Sequence, residues 1–136
     1  MKRHLIMLCL AAGSLQPVSA QAFTAKPGVR VNPVDSQVFE VIPTSGGDLR
    51  DFWCGAAEYA RRVKGAGWTD QVYVVRGRGV SVTTGRRTAV QFTLSPAEVA
   101  EFPRPQGWLR WGINPGDRMS VQQARGYCHQ RETERR

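Results

Sequence analysis

Three groups of side chains in this sequence have types and spacings that could do chemistry. The first is a pair of cysteines, Cys54 and Cys128, with His129 next to the second. A thiolate nucleophile could be drawn at Cys54, because Arg50 and Arg61 stand close to it on a helix and His129 offers a base. The opposing reading is a disulfide, the ordinary fate of two cysteines exported to an oxidising compartment. It would close a long loop, a constraint worth about 4 kcal/mol on chain-entropy grounds. The disulfide Cys54–Cys128 is the reading adopted, and no catalytic residue is assigned.

The second group is Asp51 and Glu58, which share a helix face seven residues apart. Two helical turns separate them by about 10 Å along the axis, beyond the usual spacing of glycosidase carboxylates. They read as solvated face residues. A Ser-His-Asp arrangement would have to use His129, and no serine sits in a G-x-S-x-G turn. His4 falls in the N-terminal leader, so one histidine and two paired cysteines are too few for a metal site, and neither a metal nor a cofactor is expected. Gly77-x-Gly79 is followed by a strand rather than a helix, which excludes a nucleotide fingerprint.

The third group is Arg76, Arg78, Arg86 and Arg87, four guanidinium groups on one hairpin. Arginine is suited to bidentate recognition of phosphate or carboxylate, so these four are the candidate anion-binding residues. The same pattern also suits a basic sheet edge whose charge discourages association. Were Thr84-Gly85 a two-residue turn, Arg76, Arg78 and Arg87 would share the face opposite Val90, Phe92 and Leu94; a longer Gly-rich loop from Gly77 to Arg87 is the other possibility. Trp108 and Trp111 could stack on sugars or bases, although Trp111 has the parity of a core residue.

The elements that must position these groups can be read from the same sequence. Residues Met1–Ala22 have the form of a secretory signal: Lys2 and Arg3, then an apolar run from Leu5 to Ala12, then small residues where a peptidase cuts. That run is far shorter than the roughly 20 residues of a spanning helix, and no later stretch could span a bilayer. The protein is therefore expected to be periplasmic or secreted. The chain carries a net charge of +8, of which Lys2 and Arg3 contribute two. Such a balance favours an anionic envelope polymer or lipid surface as partner, and is equally the charge of many exported proteins with no such partner; export argues against nucleic acid.

Asp48–Lys64 is the strongest helical signal, with Leu49, Phe52, Trp53, Ala56, Ala57, Ala60 and Val63 on one apolar stripe and Asp48 as N-cap. Cys54 lies about 140° round from Leu49 and looks sideways from that stripe. Strands are expected at Gln37–Ile42, Gln71–Arg76, Thr88–Leu94 and Trp108–Ile113, and a second helix after Ser120 containing Val121, Ala124 and Cys128. A short helical turn should begin at Ser95-Pro96. Phe23–Pro33 reads as part of a loose arm because of Pro27, Gly28, Asn32 and Pro33. Phe52, Trp53, Ala56, Ala60, Val90, Phe92 and Leu94 should form one core.

The expected organisation is thus a signal over 1–22, an arm over 23–35, one domain over 36–130 and a charged tail over 131–136. The fold class is α+β: a small antiparallel sheet of three to four strands, in chain order β-α-β-β-β-α, with two helices packed on it and tied by one disulfide. The segments F-W-C-G-A-A-E-Y-A at Phe52–Ala60 and A-R-G-Y-C at Ala124–Cys128 resemble those of small, uncharacterised exported bacterial proteins. The resemblance covers the two cysteine-bearing helices and implies that they belong to one module; it implies no activity and no site residues. The expected role is a non-enzymatic binding or structural module of the envelope, with a small envelope hydrolase using Cys54 or a carboxylate as the alternative.

Overall fold

The computed structural model describes residues 22–103 and 112–129, together with residue 13. Among these, six strands make one antiparallel sheet: β1 (Phe23–Lys26), β2 (Val29–Pro33), β3 (Val38–Pro43), β4 (Gln71–Gly79), β5 (Ala89–Thr93) and β6 (Arg118–Ser120). Their spatial order is β1-β2-β3-β5-β4-β6. Helix α1 (Leu49–Arg62) joins β3 to β4, and α2 (Val121–Gly126) follows β6 directly. Because β5 is antiparallel to both β3 and β4, the last two run parallel with β5 between them, and α1 is the crossover that this direction requires.

The α+β class holds, but the sheet has more strands than the three to four expected, and the order β-α-β-β-β-α is overturned by two strands ahead of β3. The stretch read as a loose arm contains β1 and β2. Pro27-Gly28 breaks the strand only to turn it: Gly28 sits at φ 79, a conformation that glycine adopts without a Cβ clash, and Val29 follows on the returning strand. Val29 and Val31 face inward and Arg30 outward, the period of a half-buried strand. At the other end, the expected strand Trp108–Ile113 falls mostly outside the described residues. Residues 112–117 form a turn, and the sheet closes with the unexpected β6, which pairs Met119 with Val72. The stretches read as a signal and a charged tail also lie outside the described residues, apart from residues 13 and 22.

Helix α1 starts as its sequence demands. The Arg50 and Asp51 N–H groups donate to the Asp48 side chain, and the Asp48 N–H donates back to Asp51 Oδ2 at 3.2 Å, a reciprocal capping box. Lys26 of β1 then places its ammonium 2.6 Å from Asp51 Oδ1, fixing the edge hairpin to the first helical turn. Phe52, Trp53, Ala56, Ala57 and Ala60 are buried against Val31, Phe39, Val41, Val72, Val74, Val90 and Phe92, with Leu94 partly buried beside them. The expected core is therefore observed. Gly55 lets the helix approach the sheet closely, since a Cβ there would lie 2.6 Å from a Val41 methyl.

On the flank of α1, Cys54 is bonded to Cys128 with Cα atoms 4.9 Å apart across 74 residues of chain. The sideways position of Cys54 is what lets the bridge tie α1 to the α2 end. Arg125 adds an ion pair to Glu58 at 2.8 Å on the same flank. Among the described residues no helix is long and apolar enough to cross a membrane.

Candidate functional site

Register brings four polar residues into one row on the sheet face away from α1. Asn32 pairs with Glu40, Glu40 with Gln91, and Gln91 with Arg76, across β2, β3, β5 and β4. Glu40 is wholly buried, a costly place for a carboxylate unless it is hydrogen-bonded. The Val80–Thr88 connection folds back over it. Ser81 Oγ donates to Glu40 Oε1 at 2.5 Å, the Thr83 N–H donates to the same oxygen at 2.9 Å and the Val82 N–H to Oε2 at 3.2 Å. The Thr83 hydroxyl donates to Oε1 as well. Burial pushes the Glu40 carboxyl up, but the hydroxyls of Ser81 and Thr83 and the N–H groups of Thr83 and Val82 together outweigh it and hold the group below the usual carboxylate range.

The loop also closes on itself. The Ser81 N–H donates to the Arg86 carbonyl at 2.8 Å, the Gly85 N–H to the Ser81 carbonyl at 2.9 Å, and the Thr84 N–H to Ser81 Oγ at 3.0 Å. Asn32 Nδ2 donates to Thr83 Oγ1 at 2.9 Å from β2. Ser81 and Glu40 are thus a hydroxyl and a carboxylate within bonding distance, but both are buried and committed to the loop. They hold a connection in place and leave no exposed oxygen for a substrate.

Of the two connections considered for β4 and β5, the longer one is present, and it begins at Val80. Two register irregularities in β4, on either side of Arg76, separate the arginines that a tight turn would have aligned. Arg76 stands opposite Gln91 and donates to the Val80 carbonyl at 2.7 Å, so it is committed to its own loop. Arg78 reaches the helix side, with its guanidinium 5.0 Å from the Phe52 ring and a 3.3 Å bond to the Gly47 carbonyl. Arg86 donates to the Thr44 carbonyl at 3.3 Å. Arg78 and Arg86 therefore converge on the turn that precedes α1, and Arg87 follows Arg86 in sequence; all three are exposed. Among the described residues each of the two tethered guanidinium groups makes one such bond, and a guanidinium carries five N–H donors, so others can face a ligand.

The other chemistries considered resolve structurally. Cys54 is in a disulfide and presents no thiol. Asp51 belongs to the capping box and the Lys26 pair, and Glu58 binds Arg125. His129 is exposed beyond α2. Among the described residues no three His, Cys, Asp or Glu side chains gather closely enough to hold a metal ion. Trp108 and Trp111 lie outside the described residues. Trp68 offers a ring at the surface instead, but the guanidinium groups of Arg61 and Arg125 sit 4.0 and 5.0 Å from its centre.

Sequence reasoning missed Glu40, Ser81 and Thr83. The available signal was the alternation V-S-V-T at Val80–Thr83, whose inward members are hydroxyl residues. No family model matches the chain, and no curated protein or solved structure matches it either.

Proposed function

We propose that this protein is an exported, non-enzymatic binding or structural module of the bacterial envelope, and that it engages an anionic ligand through Arg78, Arg86 and Arg87. The observation that carries the reading is the fixing of Arg78 and Arg86 on one turn, at the Gly47 and Thr44 carbonyls, beside an exposed Arg87. Guanidinium groups held in place before binding lose less side-chain freedom when a phosphate or carboxylate arrives. The net charge of the chain draws such partners, and the leader-like N-terminus together with the disulfide suits an oxidising compartment outside the cytoplasm.

Binding to lipopolysaccharide, a teichoic-type phosphate polymer and DNA at two salt concentrations tests this. The parent should bind the envelope polymers with an affinity that falls as salt rises. The variant Arg78→Ala/Arg86→Ala/Arg87→Ala should flatten the log–log salt slope by about one for each phosphate it no longer neutralises. Thermal melting shows whether the variant keeps its fold. A parent that binds none of the polymers, or a folded variant that binds them all equally well, overturns the reading.

A further inference from the structure

The loop that carries Arg86 and Arg87 also exposes two large apolar side chains. Val80 is 59% and Val82 61% exposed, whereas Ser81 between them is 2% exposed. The exposure has a mechanical cause: Glu40 holds the Ser81 and Thr83 hydroxyls, Val82–Thr84 turn above it with the Gly85 N–H closed on the Ser81 carbonyl, and Val80 and Val82 are left at the surface. The valines are not the exposed end of a mobile strand. The loop is closed by the Ser81 to Arg86 and Gly85 to Ser81 backbone bonds and fastened to β2 through Asn32 and Thr83. A rigid tip with two apolar side chains on its first limb and arginines on its second has two chemistries to satisfy at once.

We infer that the Val80–Arg87 loop docks on an anionic lipid bilayer, placing Val80 and Val82 among the acyl chains near the headgroups and Arg86 and Arg87 on lipid phosphates. The proposal rests on the anion-binding reading above and deepens it by naming the partner. Charge complementarity selects this occupant: a soluble phosphate polymer satisfies the arginines and leaves both valines in water, whereas a bilayer of anionic lipids offers phosphate and hydrocarbon within one shallow layer. Two valines are too little apolar surface to anchor the protein without the charges, so attachment should be reversible and sensitive to salt.

Co-sedimentation of the disulfide-bonded protein with vesicles tests the inference. One set contains phosphatidylcholine alone and a second contains phosphatidylcholine and phosphatidylglycerol in equal parts; binding to a soluble teichoic-type polymer is measured in parallel. The parent should bind the phosphatidylglycerol vesicles and leave the neutral ones. Val80→Ser/Val82→Ser should weaken vesicle binding by about tenfold or more and leave polymer binding unchanged, since the transfer of one valine side chain from water is worth roughly a factor of ten. Arg86→Ala/Arg87→Ala should weaken both. If the valine variant binds vesicles as the parent does, or the parent binds polymer but no vesicle, the bilayer inference falls and the anion-binding reading stands. If the parent binds neither, both fall.

Discussion

On one face of the sheet α1 lays Phe52, Trp53 and Ala56 against Val41, Phe92 and Val90; on the other, the Val80–Thr88 connection lays Ser81 and Thr83 against Glu40. Both contacts close a buried surface, but by unlike means. The helix side depends on apolar area, which is non-directional and is shared among many side chains. Rings there meet at ordinary aromatic separations, 5.2 Å for Trp53 with Phe92 and 4.6 Å for Phe39 with Tyr59. The loop side depends on one carboxylate whose two oxygens are shared among four donors. Removing a single partner there leaves a buried polar group unsatisfied, so the damage is local and specific to the loop. The helix side therefore sets whether the chain folds, and the loop side sets what the hairpin presents.

Truncating the helix side should have the larger effect. Phe52→Ala removes a fully buried ring from the α1 stripe, and its expected cost is about 3 to 5 kcal/mol in denaturant unfolding. The comparison breaks if this variant is near neutral while loop variants unfold the protein. Next in size is the bridge. Cys54→Ala and Cys128→Ala should each lower stability by a similar amount, about 2 to 5 kcal/mol, because either one opens the same 74-residue loop. Unequal losses would mean that one of the cysteines also contributes through packing, and two titratable thiols in unreduced protein would deny the bridge altogether.

How far each side could be read from sequence follows from the same contrast. The α1 stripe was legible because Phe52, Trp53, Ala56 and Ala60 repeat at helical spacing within one short window, with Asp48 and the preceding glycines to mark its start. The disulfide was legible from the number of cysteines and the leader-like N-terminus alone. β1 and β2 were not, because Pro27 and Gly28 are the same residues whether they end structure or turn a hairpin, and only the pairing with β3 decides. Glu40 sits in V-F-E-V-I with the parity of a residue on the second sheet face. Its donors come from 41 to 43 residues further on, a distance at which no local pattern operates. The arginine faces stayed open between a tight turn and a longer loop for a related reason: the irregularities beside Arg76 shift the period by a residue, and a strand's sequence does not announce its bulges.

The smallest expected effect sharpens the comparison most. Glu40→Gln keeps the volume of the side chain but sets an amide N–H group against the Val82 N–H, so it should cost about 1 to 3 kcal/mol and loosen the loop while leaving α1 packed. The same carboxylate makes the loop sensitive to acid in a direction that can be worked out. Its donors hold it below the usual range in the folded protein, so the stabilisation is complete above the unfolded-chain value of about 4.3 and is lost as pH falls through the lower folded value. Amide resonances of Val82 and Thr83 should therefore stay constant on acidification until the pH is below the ordinary glutamate range, and then shift together. In Glu40→Gln no such coupled shift should occur. A transition in the parent at or above about 4.3 would mean that the cost of burial outweighs the four donors. The loop would then be held by its own backbone bonds rather than by Glu40, and the presentation of Val80 and Val82 would no longer depend on the sheet beneath them.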